Sequence, residues 1–322
     1  MRILIVGLGS MGKRRLRLLQ HILPDGEYAG VDSQESRRQA TSIMTYTSLE
    51  GALTEFKPDA VVVSTPPLSH NAIIRSCLNA DTHVFSEINL VSDGYEENIK
   101  LAKKRGKVLF LSSTFLYRDE TKYICNVAKK QTKPLSYRYH VGQYLPDWHP
   151  WESYTNYFIG NARTNGCREL MAIEFPWLTE AFGKIKTFQM IKSRLTTLQM
   201  NYNDCLQLII AHENGNIGSV CIDVVSRKAV RNFELIGEDV YLTWNGTPDS
   251  LAMYDMEKKC DVPIALTEVV EHKEGYADFI VENAYLNEMY AFIEDVQMGT
   301  NAHYGFAEDL ETIRIIDEIE AE

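Results

Sequence analysis

The sequence predicts an α/β protein in two domains: a parallel sheet covered by helices, then an α+β domain with an open, mostly antiparallel sheet. Three observations carry this. Over the first 118 or so of the 322 residues, short β-branched runs alternate with helical stretches. A glycine-rich turn lies directly after the first run, and after residue 119 consecutive strand-like runs follow a helix. Alternation of strand and helix implies βαβ units, whereas strands in series imply antiparallel pairing.

In order, Arg2–Val6 reads as a buried strand and Lys13–His21 as a helix carrying Leu16, Leu18 and Leu19 on one side. Tyr28–Val31, Ala60–Ser64, His83–Ser86 and Val108–Ser112 continue the strand series, with helices near Ser69–Ala80 and Tyr95–Arg105. Their near-continuous apolar character suits a parallel sheet buried on both faces. The second domain, residues 119–322, opens with a helix over Thr121–Lys130 and a strand over Leu135–Leu145. A loop rich in Trp, Tyr, Pro and Asn runs from Pro146 to Gly166, followed by a helix from Arg168 to Phe182. Strands are predicted at Ile185–Arg194, Cys205–His212, Ile217–Val225 and Asn232–Ile236, with Glu213–Ile217 as a hairpin turn. Acidic helices near Ala277–Gln297 and Ala307–Ile319 close the chain and are free to pack back on the first domain.

Charge and composition exclude several functions. Hydrophobic residues at 45% and charged residues at 24% are those of an ordinary globular chain. A net charge of −11 argues against nucleic acid or an anionic membrane as partner. No apolar run approaches the ~20 residues of a membrane span. The six scattered cysteines, with no CxxC pair, read as reduced thiols of a cytoplasmic protein. The histidines are isolated in sequence, and no zinc, Walker or GxSxG signature is present, so no metal is expected. Glu271–Glu274 reads as a charged loop.

The chemistry concentrates at Gly7-Leu-Gly9-Ser10-Met11-Gly12. A GxGxxG motif alone is weak, but here it joins a buried strand to a helix. The first glycine permits the turn, the second lets backbone approach a pyrophosphate, and the third lets helix and strand pack closely. Asp32, at the end of the second strand and 20 residues after Gly12, is placed for the adenosine ribose hydroxyls. Its charge would repel a 2′-phosphate, so NAD is the expected cofactor and NADP the less favoured one. Arg37 and Arg38 just downstream could offset that repulsion or lie on an outer helix face. The first domain, residues 1–118, is thus predicted to be a Rossmann dinucleotide-binding domain.

With Gly7–Gly12, Asp32, the segment Ser64-Thr65-Pro66-Pro67 with His70 beyond it, and Glu87, the sequence resembles the Gfo/Idh/MocA oxidoreductases. Leu145–Trp151 is similar to members associated with sugar and surface-polysaccharide biosynthesis. The resemblance implies Ser64, Thr65, Pro66 and His70 around the cofactor, Glu87 toward the nicotinamide ribose, and a homodimer or homotetramer. Plainer readings stand beside these: Pro66-Pro67 ends a strand, and His70 can be an ordinary residue of a first helical turn.

The family's catalytic motifs are altered. Where it carries Glu-Lys-Pro, this chain has Glu87-Ile88-Asn89; alignment on Gly166 and Gly183 puts Ile173 at the family histidine and Pro176 at a family aspartate. None of Ile88, Ile173 and Pro176 can transfer a proton. Glu174, Tyr144 and His149 are the expected catalytic residues, with Tyr117 and His140 as further candidates. Glu174 sits among apolar neighbours that would raise its pKa, unless a base such as Arg168 pairs with it. Arg118, Trp148 and Trp151 are the expected substrate contacts, suited to a sugar or sugar acid. The leading expectation is an NAD-dependent sugar oxidoreductase with a non-standard proton relay. Alternatives are an inactive NAD-binding sensor or partner protein, and an NAD-assisted lyase or glycosidase.

Overall fold

The computed structural model describes residues 1–149, 152–266 and 281–321. Two compact units emerge: Met1–Thr114 with Tyr285–Ile315, and Phe115–Ala284 with Ile316–Glu322.

The first unit is built from β1 (Arg2–Val6), α1 (Ser10–Ile22), β2 (Glu27–Val31), α2 (Glu35–Gln39), β3 (Met44–Tyr46), α3 (Leu49–Glu55), β4 (Ala60–Val63), α4 (His70–Asn79), β5 (His83–Ser86), α5 (Tyr95–Arg105) and β6 (Leu109–Leu111). The strands form one parallel sheet in the order β3-β2-β1-β4-β5-β6. Strand order reverses between β1 and β4, and in such sheets the crevice beyond the strand C-termini at that reversal is where ligands bind. Ile3, Leu4, Ile5 and Val61–Val63 are fully buried, as strands covered on both faces must be. The strand β3 and the helices α2 and α3 are additions to the sequence prediction. They span three, five and seven residues, too short to show a period.

The second unit runs through α6 (Asp119–Lys129), β7 (Ser136–Gly142), α7 (Gly166–Phe182), β8 (Ile185–Ser193), β9 (Cys205–His212), β10 (Ile217–Asp223), β11 (Val230–Ile236), β12 (Tyr241–Trp244), β13 (Ala252–Asp255) and β14 (Cys260–Pro263). Its eight strands take the order β14-β13-β12-β11-β7-β10-β9-β8, antiparallel except for the parallel β7–β10 pair. Alternation decides the two faces. Tyr137, Tyr139, Val220, Ile222, Leu208 and Phe233 are buried on one side, whereas Arg138, His140, Cys221 and Gln207 lie on the other. The strands β12–β14, not anticipated from sequence, continue the sheet past β11. Helix α7 is capped by Asn165, whose side chain accepts from the Arg168 amide, and ends at Gly183 with φ +88°.

Helices α8 (Glu282–Met298) and α9 (Phe306–Ala321) close the chain. In the first unit Phe292 of α8 meets Phe85 and Phe110 edge-on, and the Tyr95 hydroxyl donates to Asp309 of α9 at 2.6 Å. The Glu271–Glu274 segment and Trp151 lie outside the described residues. Among the described residues no helix is long and apolar enough to cross a membrane.

Candidate functional site

In the first unit the glycine loop adopts the geometry its residue types demand. Gly7 has φ +93°, and a Cβ there would lie 2.5 Å from the Ser64 carbonyl oxygen. A Cβ on Gly12 would lie 1.8 Å from the Gly7 oxygen, so strand, loop and helix approach as only glycine allows. At Gly9 the nearest atom to an added Cβ is 3.8 Å away, the Arg37 guanidinium. That space is what a pyrophosphate would enter, against the N-terminus of α1 and its exposed Ser10. Met11 is half-buried in the same first turn.

Asp32 is buried at the C-terminal end of β2. One carboxylate oxygen accepts from the Leu8 amide at 2.8 Å and the other from the Gln34 amide at 2.8 Å. Arg37 lies 3.6 Å from the carboxylate, and Arg38 donates to the Asp32 carbonyl at 2.6 Å. Both guanidiniums therefore turn back toward the ribose-selecting position instead of projecting from an outer helix face.

Two of the expected cofactor contacts are engaged elsewhere. His70 has both ring nitrogens occupied, Nδ1 with Asn89 Oδ1 at 2.6 Å and Nε2 with the Thr65 carbonyl at 2.7 Å. Burial holds its pKa below the ordinary value, so it sits neutral and pins the 65–67 turn to residue 89. Glu87 turns inward, with both oxygens on Arg15 at 2.7 and 3.0 Å. Arg15 is fully buried and also pairs with Glu288 of α8 at 2.7 Å. Glu87 and His70, expected toward the cofactor, thus make their hydrogen bonds within the protein and brace the end of the sheet. Ser64, 3.4 Å from Glu87, and Thr65 remain part-exposed at the end of β4, and Pro66 is exposed.

In the second unit the correction is larger. Glu174 is completely buried, but not among apolar groups alone. Its carboxylate meets Arg231 at 2.6 Å, the Tyr139 hydroxyl at 2.7 Å and the Trp177 indole N–H at 2.7 Å. A carboxylate with that many partners is a core ion pair and has no open lone pair aimed at solvent. Arg168, named as its alternative partner, pairs instead with Asp317 and Glu320. Arg118 is likewise buried, held by Glu120 at 2.7 Å and donating to the Gly246 carbonyl at 2.7 Å, beneath the Trp244 ring. Its placement removes it as a substrate contact. Trp148 donates its indole N–H to the Gln143 carbonyl at 3.0 Å and packs near Gly166. Tyr144 is half-buried under the Arg227 guanidinium, 3.6 Å above its ring.

His149 is brought into a group the sequence did not reveal. Its ring stacks on Tyr157 with centroids 4.6 Å apart. Tyr157 interacts electrostatically with Glu169, in the first turn of α7, and with Tyr202. The Glu169 Oε2, Tyr157 Oη and Tyr202 Oη atoms are all buried without a satisfied hydrogen bond. Burial pushes the Glu169 carboxyl up to about 7 and raises both phenols, with the Gly166 amide opposing the rise at Tyr202. An acid that titrates near neutrality beside two phenols is equipped to exchange a proton. Glu169 had no signal in the sequence beyond that of a helix-start acid, because its phenol partners lie 12 and 33 residues away in irregular chain.

Residues 1–113 match the family model described as an oxidoreductase family with an NAD-binding Rossmann fold. Human biliverdin reductase A is 30% identical over 126 residues, covering 38% of this chain and 43% of that protein, less than half of either. Two solved structures share the fold of the whole chain. One is UDP-N-acetylglucosamine 3-dehydrogenase from Acidithiobacillus ferrooxidans, with TM-score 0.78, 14% identity and coverage of 100% and 97%. The other is a levoglucosan dehydrogenase in complex with NADH and levoglucosan, with TM-score 0.79, 14% identity and coverage of 100% and 96%.

Proposed function

We propose that the chain, whose residues 1–113 match an oxidoreductase family with an NAD-binding Rossmann fold, is an NAD-dependent oxidoreductase of the Gfo/Idh/MocA type acting on a sugar, nucleotide sugar or sugar acid. The observation that supports the proposal is the glycine cradle, with Gly7 and Gly12 approached as only glycine allows and Asp32 held beside it by the Leu8 amide. The sugar dehydrogenases that share the full-length fold support the substrate class.

The nicotinamide supplies the hydride acceptor; this chain's residues orient the cofactor and handle the accompanying proton. With Ile88 and Ile173 apolar and Glu174 consumed by Arg231, the group best suited to the proton is Glu169, with Tyr157, Tyr202 and His149 around it. Tyr144 is proposed to contact substrate, and the aromatic loop holding Trp148 to shape its pocket. We place the protein in the cytoplasm as a homodimer or homotetramer, in keeping with its reduced cysteines and open sheet.

The test is NADH formation across a panel of sugars, nucleotide sugars and uronic acids, by the parent and by Glu169→Gln. The proposal expects turnover in the parent, reduced about 100-fold or more in the variant, the usual worth of a general acid or base. Turnover unchanged in Glu169→Gln would remove Glu169 from the reaction. Bound NADH without turnover on any member would favour the second reading, an NAD-binding partner protein. The observation behind that reading is the inward, fully bonded state of both Glu87 and His70.

A further inference from the structure

On the face of the second unit's sheet away from α7, three metal-capable side chains converge, one of them about eighty residues before the other two. His140 on β7 and Cys221 on β10 are register partners across the parallel pair. Asp223, two residues beyond Cys221, leans over β7 until its carboxylate reaches His140 Nε2 at 2.7 Å. One ligand atom from each residue lies within 4.8 Å of the other two. We propose that His140, Cys221 and Asp223 form a binding site for a divalent transition metal of borderline softness, zinc or cobalt.

Three features go beyond mere proximity. First, Asp223 is aimed. Its Oδ1 accepts from the Val225 and Ser226 amides at 2.9 and 2.7 Å, and the Ser226 hydroxyl donates to Oδ2 at 3.0 Å. Outer hydrogen bonds of this kind orient metal ligands. Second, the place it leans into exists only because residue 142 is glycine: a Cβ there would lie 2.5 Å from the Asp223 oxygen. Third, the Gln207 amide donates to the Cys221 sulfur at 3.0 Å, which fixes the sulfur's position beside the other two ligands.

The donor set is one nitrogen, one sulfur and one carboxylate oxygen. Imidazole and thiolate select zinc-like ions over magnesium or calcium, which prefer oxygen alone. Tetrahedral binding needs His140 and Asp223 to part by roughly 0.6 Å, with metal–nitrogen and metal–oxygen distances near 2.0–2.1 Å. His140 is about 38% exposed, so its ring has the freedom to do so. His140 and Cys221 border a surface depression of about 290 Å³ that also meets Asn232 and Ser219. A fourth position facing that depression would accept water or a small anionic ligand, the pattern of an open metal site.

The experiment is titration of the purified full chain with Co²⁺, reading thiolate-to-cobalt charge-transfer absorption, followed by Zn²⁺ competition. The proposal expects one equivalent bound with a charge-transfer band that zinc removes. The band should vanish in Cys221→Ser and survive in Cys260→Ser, whose thiol is exposed and elsewhere on the sheet. Gly142→Ala keeps every ligand yet should weaken binding about 10-fold or more by displacing Asp223, as should Gln207→Leu by removing support of the sulfur. Absence of a charge-transfer band in folded parent protein overturns the proposal. So does a band that persists unchanged in Cys221→Ser, or one lost only in Cys205→Ser.

Discussion

Asp32 is the residue proposed to set cofactor choice. It is held by the Leu8 and Gln34 amides, with Arg37 and Arg38 drawn up beside it. Removing the carboxylate leaves two guanidiniums where a 2′-phosphate would sit. Asp32→Ala is therefore expected to lose about tenfold in NADH affinity and gain in NADPH affinity, read by titrating both nucleotides. A parallel loss for both would show that the arginines do not reach the ribose. Glu169 makes the second residue-scale prediction. Its folded pKa of about 7 lies above the ordinary carboxylate value, so the native state holds its proton more tightly than the unfolded chain. The stability this contributes is full below the unfolded value and is lost as pH rises through about 7. Glu169→Gln should then be more stable than the parent at pH 8, on the order of 1–3 kcal/mol, with the gap closing below pH ~5. Denaturant melts of both proteins across that range would check it; a gap independent of pH would assign the effect to packing instead.

At the scale of elements, the strands and helices that a periodic pattern can report were legible. The continuous apolar runs of β1 and β4 announced a parallel sheet, and alternation along β7, β9 and β10 announced a half-exposed one. What escaped was short: β3 spans three residues and β13 and β14 four each, with turns and polar side chains intervening. The glycine loop was legible because its residue types have no substitute. Partners across elements were not. Arg231 lies 57 residues from Glu174, and no local pattern joins them. Their pairing makes a prediction for α7 and β11. Glu174→Leu should cost about 3–5 kcal/mol by stranding Arg231, and the double variant Glu174→Leu/Arg231→Met should recover most of it. If the single variant melts like the parent, the pair is not the buried element link described for it. NADH affinity should be unchanged in the double variant, since neither residue belongs to the nucleotide-binding unit.

Across the whole molecule, the sequence carried the cofactor half of the function better than the catalytic half. Nucleotide binding rests on backbone approach, which glycine spacing encodes locally. The proton transfer we propose rests on side chains such as Glu169, Tyr157 and Tyr202, brought together by folding from distant positions. His140 follows the same rule: distant along the chain from Cys221 and Asp223, it becomes their neighbour only through the β7–β10 register. Ile88 and Ile173 remain the positions at which the sequence departs from the pattern of the family it resembles.

The measurement that bears most directly on the account is calorimetric titration of NADH and NADPH into the parent and Gly9→Asp. The account predicts one site per chain, tighter for NADH, abolished when an aspartate side chain and its charge fill the space beside Gly9. Equal heats in parent and variant, or no binding of either nucleotide to folded parent, would contradict it.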